Sequence, residues 1–339
     1  MILWILKNIS VMVVVCLFSN LAWSQWTKAP EDELKVRMGL IIPRYNLEMQ
    51  APTDVSGLKA TFEPHTPTKT ALGLSYRNIG LGVAVSNATN GSDDAKFGTS
   101  TSTDIQIRFF GHRTYEFFYQ SYSGYYLKNS SDLDSTYSGR DDKIKRPDMN
   151  SKNYGVNFFW NLNEESFSQA LAFDQAGWPQ QNDWGVSWLI HLSESTISGD
   201  SAFIPPAAAS QFGSMAEVNG VRRQSLASGF GLGGLSTWNK FYATGMLSLG
   251  LGYQKAQLNY LNRDSDQFNN LGSYLSLRVG LGYNGEKNVF GLQMFNDVLN
   301  TPVGKGTIAG VSMSLHLFYA YRFNGVNLPL ANKVSSWLD

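Results

Sequence analysis

The chain has 339 residues, with Lys+Arg and Asp+Glu each counting 27, so its formal net charge is zero. That balance excludes the basic field that recruits nucleic acid, and it leaves no acidic tail. Aromatics at 13% and 32 glycines, with slightly negative mean hydropathy, suit strands that are apolar on one face and polar on the other.

Residues 1–24 read as a secretory signal: Lys7, an apolar run over 9–18, then Ala22-Trp23-Ser24 with small residues at the two inspected positions. The run is shorter than the ~20 residues of a spanning helix, so cleavage after Ser24 is expected. Cys16, the single cysteine, lies inside that run behind Val15, which is not the small residue a lipidation site needs. The mature chain is then free of cysteine, with no disulfide and no thiolate metal site. No cofactor is indicated.

From there to residue 323 the period is two. Candidate strands follow in order at 37–49, 58–65, 69–77, 79–87, 105–109, 115–127, 153–162, 167–175, 184–192, 226–238, 241–258, 275–283, 288–298 and 313–323. In the clearest of them, Trp184, Val186, Trp188, Ile190 and Leu192 alternate with Gly185, Ser187, Leu189, His191 and Ser193. Several approach the 9 to 11 residues that a tilted strand needs to cross a bilayer, against a soluble mean of about 5 to 6.

The last strand puts Met313, Leu315, Leu317, Tyr319, Tyr321 and Phe323 on one face. An aromatic-ended closing strand of this kind is what outer-membrane barrels present to the assembly machinery and the interfacial girdle. The expected fold is therefore all-β, a transmembrane antiparallel up-and-down barrel of about twelve strands, with ten to fourteen allowed. Residues 25–36 precede it and 324–339 follow it, both in the periplasm. Counting turns inward from both ends leaves the halves one strand out of step. This places an error between 128 and 184 and makes 37–49 the segment to leave outside the wall.

Alternation turns Asp104, Arg108, Glu116, Gln120 and Arg278 inward as lumen-lining residues, with charges of both signs. His191 and Ser193 share a face two residues apart, where an imidazole can take a serine proton if the side chains meet. In this pairing they resemble outer-membrane phospholipases, which makes them the candidate catalytic pair of a membrane-embedded lipid hydrolase, though Glu194-Ser195 replaces the Asn-Gly of those enzymes and the pair faces the lumen. Asp132, Asp134, Asp141 and Asp142 offer hard oxygens without the glycine of a calcium loop and read as a solvated loop. Lys143, Lys145 and Arg146 offer contacts to lipopolysaccharide phosphates, and otherwise form a solvated basic run. Gly229, Gly231, Gly233 and Gly234 read as glycines of a strongly coiled strand, since no helix follows them.

A set of short motifs resembles one known family. They are Thr61-Phe62-Glu63-Pro64-His65-Thr66-Pro67, Leu72-Gly73-Leu74-Ser75-Tyr76-Arg77, Ile79-Gly80-Leu81-Gly82, Gly124-Tyr125-Tyr126, Arg146-Pro147-Asp148-Met149, Phe167-Ser168-Gln169-Ala170 and Asp200-Ser201-Ala202-Phe203-Ile204-Pro205. The chain is similar in these to the family called domain of unknown function DUF4421, and departs from it at Trp178, Pro179 and Asp183. The resemblance implies a membrane β-barrel and no assigned chemistry. The functional expectation is an outer-membrane protein acting as a passive channel or as a structural or surface-interaction barrel. It would contact outer-membrane lipid, lipopolysaccharide and the assembly machinery. A soluble exported β-protein is the remaining alternative.

Overall fold

The computed structural model describes residues 26–28, 32–66, 68–77, 79–85, 93–110, 113–162, 167–179 and 182–335. The expected signal segment lies outside these, as do the short turns at Asn78 and at Gly111-His112.

Strands β1 (Trp26–Lys28), β2 (Leu34–Gln50), β3 (Lys59–Glu63), β4 (Lys69–Tyr76), β5 (Ile79–Val85), β6 (Thr101–Phe109) and β7 (Arg113–Leu127) form the first half. They are followed by β8 (Ile144–Asn161), β9 (Gly177–Pro179), β10 (Asp183–Ser198), β11 (Val218–Trp238), β12 (Phe241–Tyr260), β13 (Asp266–Asn284), β14 (Asn288–Val303) and β15 (Gly306–Phe323). Twelve of them close a ring in the order β2, β4, β5, β6, β7, β8, β10, β11, β12, β13, β14, β15 and back to β2. Every pairing is antiparallel, and the ring shuts where β15 meets β2, from Thr307 opposite Gln50 to Phe323 opposite Leu34. Residues 37–49 are thus part of the wall, as the seam partner of the closing strand, and not outside it.

The same ring resolves the miscount. Residues 167–175 form a helix, Gln169–Asp174, in place of a strand: the Ser168 hydroxyl accepts from the Leu171 amide and caps it. Residues 58–65 supply only β3, a short piece that bridges β2 and β7 at one end of the barrel. Pro64 follows β3 and cannot donate to a ladder, so the descending chain breaks and resumes as β4. Between β4 and β7 the hairpin of β5 and β6 fills the lower wall.

Leu34 and Phe323, at the ends of β2 and β15, lie at one end of the barrel with the short turns β11–β12 and β13–β14, and the longer connections such as 199–217 lie at the other. Facing outward across the middle is an apolar belt that includes Leu72, Phe230, Leu251 and Leu271, each at least 61% exposed. On β10 the belt runs from Trp184 to Leu192, roughly 20 Å of height at ordinary strand rise and tilt, near the ~25 Å band of outer-membrane barrels. Exposed Trp184, Trp238, Phe241, Phe290 and Phe323 ring its turn-end edge. In water such a surface would be an aggregation liability, which removes the soluble alternative.

Above the belt the pattern inverts. Leu40 on β2 and Leu192 on β10 face lipid, yet Leu47, Met49 and Ile197 farther along the same strands face inward and are buried. They join Phe62, Tyr125, Phe203, Phe212, Met215 and Leu258 in one apolar core at the loop end. A strand that crosses from lipid into this core swaps its apolar face, which is why β2 alternates so poorly in sequence.

Candidate functional site

The interior is polar at mid-height and closed above and below. Arg278 on β13 reaches across to Glu116 on β7, a strand that is not its neighbour, and donates from both Nη atoms to the two carboxylate oxygens at 2.7 and 2.6 Å. Arg108 on β6 lies 3.4 Å from the same carboxylate and donates to Gln106. The Arg278 guanidinium also lies 4.6 Å from the Phe159 ring centroid. Two pleats away, the Gln120 amide donates to Asp104 at 3.2 Å, and Asn153 donates to Gln120 at 3.0 Å. Arg278, Glu116 and Arg108 thus form one linked group in the interior, and Asp104 and Gln120 another.

His191 and Ser193 meet in the same space. His191 Nδ1 lies 2.7 Å from Asn157 Oδ1, and Nε2 lies 2.8 Å from the Ser193 hydroxyl. Asn157 sits opposite both Glu116 and His191 in the sheet, and its amide donates to Glu116, so its oxygen faces the imidazole. A carbonyl oxygen only accepts, so Nδ1 carries the ring proton and Nε2 accepts from Ser193. The imidazole stacks on Tyr274, ring centroids 4.1 Å apart, and the Tyr274 hydroxyl donates to Asp297 at 2.8 Å. These groups line a small chamber in the barrel interior. Asn157, Tyr274 and Asp297 were not singled out by sequence. Alternation puts Asn157 on the inner face, but only strand register brings it to His191.

The turn end is filled by the segment between β8 and β10, where the helix Gln169–Asp174 folds up into the barrel. Lys35 binds the Asp174 carboxylate at 3.3 Å. Arg37 donates to the Gln175 side chain at 2.6 Å, and Arg322 to the Gln175 carbonyl at 2.7 Å. Gln293 donates to the Phe173 carbonyl at 2.8 Å. Phe167 lies against Gly233, where a Cβ would come within 2.3 Å of its ring, so one glycine of the coiled run seats this plug. The plug continues into β9, which pairs with β1 of the N-terminal segment. Beside it, burial raises the Glu33 carboxyl above its usual value, although Arg322 lies 3.4 Å away.

The loop end is covered by residues 199–217, whose Phe203, Ile204, Phe212 and Met215 are buried in the apolar core. Arg146 clamps this lid. It forms a two-pronged pair with Asp148 at 2.9 and 2.8 Å and donates to the carbonyls of Ser201, Ala202 and Phe203. Asp148 in turn accepts from the Asp200 amide at 3.0 Å. Arg146 is therefore a buried clamp and not part of a solvated or phosphate-binding run, and the two motifs 146–149 and 200–205 are partners. In the loop 128–143, Asp134 caps a turn through Thr136, and Asp142 pairs with Arg140 at 2.6 Å. Among the described residues no acidic or histidine cluster has the arrangement of a metal site.

A ring of twelve antiparallel strands, apolar outside and polar within, defines the protein as a transmembrane up-and-down β-barrel with a plugged lumen. The chain belongs to the family described as domain of unknown function (DUF4421), whose model matches residues 24–323. No curated protein matches it. Similar solved structures include the outer membrane protease OmpT from Escherichia coli, 10% identical, with 90% of this chain and 99% of that chain covered and a TM-score of 0.38. Another is the translocator domain of the autotransporter NalP from Neisseria meningitidis, 12% identical, with 94% and 95% covered and a TM-score of 0.37. The toluene transporter TodX of P. putida is 10% identical, with 88% and 92% covered and a TM-score of 0.29.

Proposed function

We propose that this protein is a closed barrel of the bacterial outer membrane. It would be exported by removal of residues 1–24 and folded by the barrel-assembly machinery with both termini in the periplasm. Its role is structural or one of surface interaction, in place of passive conduction. The apolar belt, and the start of β2 beside the end of β15 at one end of the barrel, support the placement. The observation that carries the closed state is the plug, whose helix is tied to β2, β14 and β15 by Lys35, Arg37, Gln293 and Arg322. The test is single-channel conductance of the refolded mature chain in a planar bilayer. Silence from a heat-modifiable, folded barrel is expected, and steady conductance would overturn the reading.

A second reading rests on Asn157. With His191 and Ser193 it has the order of orienting group, base and nucleophile that acyl transfer uses. Ser193 borders both the inner chamber and a groove on the outer wall. A fluorophosphonate probe should then label Ser193 in the folded barrel, with labelling lost in His191→Ala. Absence of labelling would leave the trio as a structural hydrogen-bond chain.

A further inference from the structure

We propose that the outer wall across β7 to β12 binds a phosphorylated, multi-acylated glycolipid of the outer leaflet, with Lys152 and Lys255 as its phosphate ligands. The inference rests on the outer-membrane placement proposed above. Strand register fixes three outward rows at the loop-end edge of the belt. The lowest is apolar, with Phe117, Val156, Leu192, Leu226 and Tyr253 side by side. One pleat above it stand Tyr119, Tyr154, Glu194, Gln224 and Lys255, and the next row holds Lys152, Thr196 and Arg222. The wall therefore changes from hydrocarbon-like to cationic within two pleats, the depth at which a lipid changes from acyl chain to headgroup.

The charges on this strip are uneven. Its one acid, Glu194, is occupied by Arg222 at 3.1 and 3.2 Å and by Gln224 at 2.8 Å. Lys152 and Lys255 have no ion-pair partner among the described residues. On the adjoining part of the same edge, across β2, β3 and the end of β7, Arg44 and Lys128 are matched with Glu63, and Lys59 with Glu48. Among the described residues, Lys152 and Lys255 thus stand unpaired on this face, where the acid is already taken.

Below them lies an open groove lined by Ile105, Ile107, Phe117, Val156, Leu192 and Leu226. From β7 to β12 it spans four strand spacings, about 19 Å, wide enough for several acyl chains abreast. Lys152 and Lys255 stand three strand spacings and one pleat apart, about 16 Å, which suits two separated phosphates on one headgroup better than a single phosphate.

The test uses the full mature chain refolded into phosphatidylcholine nanodiscs doped with either bis-phosphorylated lipid A or phosphatidylglycerol. Native mass spectrometry after detergent release reads the lipid retained. Lipid A should be retained by the wild type, and roughly tenfold to thirtyfold less by Lys152→Gln/Lys255→Gln, as expected for two basic residues at an anionic surface. Lys59→Gln/Lys128→Gln, on the matched face, should retain it like the wild type. Equal retention by the two double variants, or equal retention of phosphatidylglycerol, would overturn the proposal while leaving the barrel placement intact. A chain that never inserts into nanodiscs and shows no heat-modifiable form would overturn both.

Discussion

Arg278 illustrates how charge is accommodated inside this barrel. Its two bonds to Glu116 and its contact with Phe159 balance a guanidinium that is 3% exposed. Removing one partner of such a pair leaves an uncompensated buried charge, worth about 3–5 kcal/mol, whereas removing both is much milder. Glu116→Gln should therefore lower the urea midpoint of the refolded barrel far more than Glu116→Gln/Arg278→Met, read by tryptophan fluorescence. Arg146 acts through geometry as well as charge, since its planar fork meets both Asp148 oxygens while other donors reach three carbonyls of the lid. A lysine keeps the charge but not the fork. Arg146→Lys should expose residues 199–217 to limited proteolysis while the barrel stays folded, and unchanged cleavage would mean that the apolar core alone holds the lid.

At the level of elements, the segment between β8 and β10 decides whether the barrel is open. The sequence of that segment alternates well enough to pass for a strand, and Ser168 carries the only local signal for a helix. Its apolar residues Phe167, Leu171 and Phe173 are buried because the wall opposite offers a glycine and the carbonyls find Gln293 and Arg322. Gly233→Leu places a side chain where the Phe167 ring lies and should drive the plug out, giving steady conductance where the wild type is silent. The other departure, β3 with β4, follows from Pro64, and it leaves the wall with ten strands at the loop end where β3 alone stands between β2 and β7.

Across the whole molecule, closure depends on one seam. β15 pairs with β14 on one side and β2 on the other, joining the last wall strand to the first. Tyr321 and Phe323 contact each other at its turn end, with ring centroids 4.8 Å apart. Phe323→Ala should reduce the heat-modifiable fraction recovered from the outer membrane without altering the mobility of the barrels that do form. Equal yield would remove the closing aromatic from an assembly role. With the helix Gln169–Asp174 packed in at the turn end and residues 199–217 packed over the loop end, and apolar around its waist, the molecule has its exposed chemistry in the loops and at the two lipid edges.

The sequence by itself determined the barrel and its approximate strand number, because a period of two is a local property of the chain. It misjudged β2 and the 167–175 segment for a related reason: the apolar face changes sides where a strand leaves lipid for the apolar core, and a plug residue is apolar like a wall residue. Only the tertiary structure decided that Arg278 meets Glu116, that Asn157 orients His191, that Arg146 holds the lid and that the helix fills the lumen. Each of these joins residues far apart in the chain, and their meeting is set by strand register and barrel closure, which no local pattern encodes.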